Sequence, residues 1–151
     1  MLSKVLIPTD GSETARKAMD FAARLLAGSS CEVVLLAVVE EPAYATFWSD
    51  GLVAPEVILP PTEELKEELR GKAEETLSAE AESLRAAGLR TTVRLRFGNP
   101  ATEILQEAED GGYEMIVMGS HGRGVLGGFL LGSVSNRVVH HAKCPVLVVR
   151  G

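Results

Sequence analysis

The chain has 151 residues, enough for one domain, expected over 1–151, that buries a core without disulfides or a metal. Hydrophobic residues make up 46% and charged residues 24%, a balance that excludes a disordered tail. The formal net charge of −6 excludes broad electrostatic binding to nucleic acid or to an anionic membrane, but not the binding of one nucleotide, whose phosphates local backbone N–H groups can hold.

No apolar run approaches the roughly 18–20 residues that span a bilayer. The apolar stretch at the N-terminus, Met1 to Pro8, is too short for a signal peptide and runs into a polar turn. The two cysteines, Cys31 and Cys144, are far apart and are expected to behave as small buried apolar residues. The expected location is the cytoplasm.

Strand and helix signals alternate along the chain. Lys4 to Thr9 is a short, nearly continuous apolar run, as in a strand buried on both faces. Asp10-Gly11-Ser12 turns the chain, and Ser12 can cap a helix with the stripe Ala15, Ala18, Met19, Ala22 and Leu25-Leu26, stopped by Gly28. Cys31 to Val39 reads as the second strand. From Glu40 to Pro61 the pattern fails: four prolines and the aromatics Tyr44, Phe47 and Trp48 mark a loop, a length uncommon inside a compact domain.

Thr62 to Ala87 predicts a long helix with the stripe Leu65, Leu69, Ala73, Leu77, Ala81 and Leu84 and an acidic outer face, ended by Gly88. Leu89 to Phe97 alternates, Val93, Leu95 and Phe97 against Thr92, Arg94 and Arg96, as in a strand near the sheet edge with one wet face. Asn99-Pro100 starts the next helix, with the stripe Ala101, Ile104, Leu105 and Ala108 before Gly111-Gly112. Glu114 to Met118 and Val146 to Val149 read as the last two strands. Strands separated by helices imply an α/β fold, an open five-stranded parallel sheet with helices on both faces. Ligands in such folds sit beyond the carboxyl ends of the strands, where strand order reverses, which places Asp10, Val38 and Gly119 on one rim.

The fourth strand leads into a glycine-rich stretch, Gly119 to Ser135, with a helix beginning near Gly132. Glycines let backbone N–H groups approach a ligand, and a helix start adds unpaired donors and a positive dipole end. Gly122-x-Gly124-x-x-Gly127 matches a dinucleotide fingerprint in letters, but it lies too late in the chain and position 147, where the acidic residue belongs, is Leu. Gly127-x4-Gly132-Ser133 resembles a P-loop without its lysine, and so lacks the contact to the β- and γ-phosphates. What remains is Gly119-x2-Gly122-x9-Gly132-Ser133, between a buried strand and a helix. Arg123 can offer a cationic partner to a phosphate. His121 sits between two glycines, and His140 and His141 lie near a helix C-terminus without a ligand set for a metal.

The chain resembles the universal stress protein family over essentially its whole length. The matching residues are Val5 to Ser12, Gly98-Asn99-Pro100-Ala101, the Gly119 to Ser133 motif and His141 to Val149. Some members of that family bind ATP and carry the glycine motif, so the resemblance implies the ATP-binding branch, with or without Mg²⁺, on a Rossmann-like fold of the adenine nucleotide alpha hydrolase-like kind. It places Pro8, Thr9 and Asp10 at the adenosine end, with Asp10 accepting hydrogen bonds from the nucleoside. Val38 would contact adenine, and Met118 and Gly119 would border the ribose. Gly122, Gly132, Ser133, Val134 and Ser135 would hold the phosphates. The ending of the second strand, Ala37-Val38-Val39-Glu40, departs from a common His-Val pattern of the family. The resemblance also implies a homodimer through Val146–Val149, an exposed apolar edge suited to pairing.

No paired carboxylates, nucleophile with a base, or zinc spacing emerges, so no catalytic residue and no resident metal site is assigned. Slow ATP turnover or self-phosphorylation stays open. The expected function is a nucleotide-dependent switch or regulator in a stress response, acting on a protein partner that the sequence does not identify. Two rivals stand beside it. One is an adenylating enzyme of the related ATP pyrophosphatase type, whose loop after the first strand is absent here. The other is a chaperone-like dimer that works without nucleotide.

Overall fold

Near-continuous apolar runs form the strands, and amphipathic segments form the helices between them. In the computed structural model, which describes residues 1–40, 62–121 and 132–151, the elements are β1 (Lys4–Pro8), α1 (Glu13–Leu25), β2 (Glu32–Val39), α2 (Glu63–Ala86), β3 (Arg90–Phe97), α3 (Pro100–Gly111), β4 (Met115–Gly119), α4 (Ser133–His141) and β5 (Val146–Val149). The strands form one parallel sheet in the order β3-β2-β1-β4-β5. This is the expected open five-stranded α/β architecture. The loop expected before α2 falls on residues 41–61, outside the described residues.

Side chains alternate across a strand, so a strand buried on both faces feeds two cores. Val5, Ile7, Val33 and Leu35 pack under α1 and α2 with Ala18, Met19, Leu77 and Leu84. Leu6, Val34 and Leu36 pack under α3 and α4 with Ala101, Ile104 and Val138. Cys31 is buried and Cys144 half-buried, both free thiols that burial pushes up and so keeps protonated.

Three helix starts carry side-chain caps, of which those at Ser12 and Asn99 were expected. Ser12, Thr62 and Asn99 accept the N–H of Ala15, Leu65 and Thr102 at 3.2, 3.1 and 3.1 Å, each contributing about 1 kcal/mol. Gly112 closes α3 in the left-handed region at φ 64°. The fourth helix, α4, differs: Gly132 stands at its cap position and supplies no side chain to its first N–H groups.

Two expectations need correction. The stripe of α2 is buried only from Leu77 onward, at Leu77, Ala81 and Leu84, while Leu65 is 37% exposed. The Arg70 guanidinium lies over the ring of Phe97, the last residue of β3, at 5.1 Å. Residues 63–70, roughly the first two turns of α2, are accordingly exposed or half-buried.

The second correction concerns β3, which is an edge strand as expected but with its faces differently used. Val93 and Phe97 are 44% and 39% exposed. The arginine face is wet as expected at Thr92 and at Arg94, whose side chain is 57% exposed, but α3 draws Arg96 in to 21%. Arg96 meets Glu103 at 3.0 Å and Glu107 at 2.8 Å, Arg94 meets Glu107 at 3.3 Å, and the Tyr113 hydroxyl donates to Glu107 at 2.8 Å. Alternation alone cannot see that two arginines of a strand are matched to two glutamates one helical turn apart on the covering helix.

The Glu107 side chain is only 3% exposed. Burial pushes its carboxyl up, but the bonds from Tyr113 and Arg96 and the charges of Arg94 and Arg96 outweigh burial and hold it below the usual carboxylate range. A folded-state value below the unfolded one stabilises the fold above the unfolded value and loses that stabilisation as pH falls through the folded value. Glu107→Gln is therefore expected to lower stability by about 2 kcal/mol at neutral pH, with the difference shrinking in acid. Urea denaturation at pH 7 and pH 3 checks this; an equal difference at both would exclude the charge as its source.

Candidate functional site

β1 and β4 are neighbours in the sheet, with Val5 beside Met115 and Leu6 beside Ile116. After β1 the chain enters α1 on one face; after β4 it reaches α4 on the other. Strand order reverses between β1 and β4, and the carboxyl rim at that point is where parallel α/β sheets place a ligand crevice.

On the β1 side, Pro8 is buried as the last strand residue. Thr9 is pinned from three directions. Its N–H donates to Leu36 O at 2.8 Å, its hydroxyl lies 3.0 and 3.1 Å from the two carboxylate oxygens of Glu80, and Oγ1 accepts the Gly11 N–H at 3.2 Å. Asp10 is exposed, and its Oδ1 accepts the Ser12 N–H at 2.9 Å. Gly11, at φ 77°, makes the turn with a backbone that other residues rarely adopt. The Asp10 carboxylate is thus held at the rim by its own turn.

Glu80 is a site residue that the sequence reading missed. It sits on α2 three residues after Leu77 and four before Leu84, on the flank of the buried stripe, and that spacing was the available signal. Burial pushes its carboxyl up; the Thr9 bond and Arg16 pull it down, and the Asp10 charge pushes it up again.

On the β4 side, Met118 is buried with its side chain in the α3–α4 core, so backbone is what it offers the rim. Gly119 lies under the first turn of α1: a Cβ there would stand 2.9 Å from Thr14 O. The next residue, Ser120, joins three parts of the fold. Its N–H donates to Val149 O of β5 at 2.9 Å. Its carbonyl accepts the Gly132 N–H at 2.7 Å and the Ser135 hydroxyl at 2.5 Å. The chain leaving β4 and the start of α4 are tied to one atom. They approach so closely that a Cβ on Gly132 would stand 3.1 Å from His121 Cα.

This clamp aims the N-terminus of α4 at the rim. An α-helix leaves its first N–H groups without intrahelical acceptors, and here they belong to Ser133, Val134 and Ser135. The Ser133 side is exposed, Val134 is half-buried, and Ser135 is buried with its hydroxyl turned inward to Ser120. Ser135 can therefore offer a ligand its backbone N–H, not its hydroxyl proton. Val38, at the end of β2, is half-buried with its side chain against the α3–α4 core. His121 borders the same region, and its Nδ1 is buried with no hydrogen-bond partner among the described residues. Gly122 and Arg123 lie outside the described residues.

The rim thus carries a carboxylate in a fixed turn after β1 and, tied to the residue that follows β4, the start of a short helix with glycine at its cap position. A family model, the Universal stress protein family, matches residues 1–150. The chain is 34% identical over 151 residues to Universal stress protein YxiE of Bacillus subtilis, spanning 99% of this chain and 100% of that one. It is 34% identical over 155 residues to Universal stress protein MJ0577 of Methanocaldococcus jannaschii, spanning 99% and 96%. The solved structure of MJ0577 superposes with a TM-score of 0.81 at 33% identity, over 99% of this chain and 96% of that one. A universal stress protein solved in complex with cAMP shares the fold, with a TM-score of 0.66 at 23% identity over 98% and 96%.

Because the atoms nearest a new Cβ on Gly119 are backbone and Cβ of Thr14, neither partner can swing away. Gly119→Ala is expected to destabilise by about 1–3 kcal/mol through overpacking, read as a lower urea midpoint with an unchanged slope. A midpoint equal to that of the parent would mean that α1 does not rest on this glycine.

Proposed function

We propose that this chain, which belongs to the universal stress protein family, binds ATP at the carboxyl rim between β1 and β4 and acts as a nucleotide-dependent switch in a stress response. The observation that carries the reading is the N-terminus of α4, with glycine at its cap position, clamped to Ser120 just past the carboxyl end of β4. Phosphate oxygens are well matched to the N–H groups of Ser133, Val134 and Ser135 and to the positive end of the helix dipole. With Gly132 at the cap position, the cap residue itself has no side chain to compete for those donors.

In this reading Asp10 accepts hydrogen bonds from the nucleoside hydroxyls, and the backbone at Val38 meets the adenine. Pro8 and Met118 form the buried floor, and Gly122 and Arg123 add to the phosphate site. The phosphates are held without a P-loop lysine, with or without Mg²⁺, an arrangement suited to retaining ATP. No step of hydrolysis is assigned to any residue. Occupancy alters the surface offered to a protein partner.

Titration calorimetry with ATP tests the reading. Saturable binding is expected, and Asp10→Asn should weaken it about ten-fold, the scale of one charge-assisted hydrogen bond. Absence of binding at millimolar ATP with Mg²⁺ would overturn it.

The proposal includes a homodimer through β5. Pro145 O accepts from Ile116 N–H and Val149 O from Ser120 N–H, so the odd-numbered residues of the strand face β4. Val146 and Val148 consequently turn their backbone groups toward the open edge. Val148→Pro removes an outward N–H and leaves the β4 ladder intact. Sedimentation is expected to show a dimer for the parent chain and a monomer for the variant, each with the same circular dichroism. A dimer that persists would place the interface elsewhere.

A further inference from the structure

We propose that Glu80 of α2 is a positioning residue for the nucleotide site, acting through the Thr9 hydroxyl to set the turn that presents Asp10. The inference rests on the ATP reading above and assigns a role to a helix that contributes none of the residues placed at the nucleotide.

A threonine hydroxyl has one proton. With both Glu80 oxygens at 3.0 and 3.1 Å, that proton is directed to α2, and a lone pair of Oγ1 is left to accept the Gly11 N–H at 3.2 Å. The next bonds follow in order. Asp10 Oδ1 accepts the Ser12 N–H, and Ser12 Oγ accepts the Ala15 N–H inside α1. Hydrogen bonds at Thr9 and at Asp10 and Ser12, joined through the backbone of the 9–12 turn, thus link α2 to α1, with the Asp10 carboxylate in that turn. Thr9 on this account orients the site and does not donate to the ligand.

Packing does not call for a carboxylate here. Position 80 borders Leu77, Ala81 and Leu84, where an apolar side chain would extend the buried stripe. A half-buried carboxylate close to Asp10 is disfavoured by desolvation and by like charge, with Arg16 as the compensating cation. What the carboxylate supplies that an apolar residue cannot is an acceptor that fixes the Thr9 rotor.

Two measurements on the full chain separate positioning from packing. In calorimetry with ATP, Glu80→Ala and Thr9→Val should each weaken binding about ten-fold, and the double variant should be no weaker than either single one, as for residues in one network. Glu80→Gln should stay within about two-fold of the parent chain, because its amide oxygen still accepts the Thr9 proton. In amide hydrogen exchange without nucleotide, Glu80→Ala should speed exchange at Gly11 and Ser12, while Glu80→Gln should not.

Parental affinity in a folded Glu80→Ala, additive losses in the double variant, or a Glu80→Gln as weak as Glu80→Ala would each overturn the proposal. So would unchanged exchange at Gly11 and Ser12 in Glu80→Ala. If Glu80→Ala does not fold, Thr9→Val carries the same comparison. A parent chain that binds no ATP would instead overturn the function reading. The exchange experiment would still decide whether Glu80 sets the turn.

Discussion

Val5 and Leu6 of β1 lie beside Met115 and Ile116 of β4, joining in parallel two strands that stand far apart in the chain. That ladder brings together a β1-β2-β3 half and a β4-β5 half, and it decides where strand order reverses. Parallel connections are right-handed, so the helices of the two halves fall on opposite faces, α1 and α2 on one and α3 and α4 on the other. The helices that follow β1 and β4 therefore lie on opposite faces, and connectivity alone puts the expected ligand position at the rim between those two strands.

Local chemistry furnishes the crevice. The chain is acidic overall, yet the site proposed for an anion needs little side-chain charge, because backbone donors at a helix start suffice. Those donors are useful only if the helix is aimed. Ser120 does the aiming: its N–H is tied to β5 and its carbonyl to both Gly132 and Ser135. Gly119 and Gly132 are small for a steric reason at this junction, one under the first turn of α1 and the other against the His121 backbone. The glycines of the motif thus serve chain crossing as much as ligand access.

Much of the fold was legible in the sequence because its signals are local. Buried strands read as apolar runs, and Ser12, Thr62, Asn99-Pro100 and the closing glycines mark helix ends whose chemistry acts within a few residues. The rim placement of Asp10, Val38 and Gly119 followed from the parallel topology. What escaped were pairings between distant segments. Glu80 reaches Thr9 across 71 positions, and Arg94 and Arg96 find Glu107 on another element. The inward turn of Ser135 depends on a carbonyl fifteen residues earlier. In each case the residue type was visible and its partner was not, since alternation and helical period describe one element at a time.

The central claim is that one crevice, between the β1 turn and the N-terminus of α4, holds the nucleotide. Amide chemical-shift mapping during an ATP titration tests it most directly. The largest shifts are expected at Asp10 to Ser12 and at Ser133 to Ser135, with little change at the amino end of the sheet around Lys4, Glu32 and Tyr113. Shifts concentrated at that opposite end, with the α4 amides unmoved, would contradict the account.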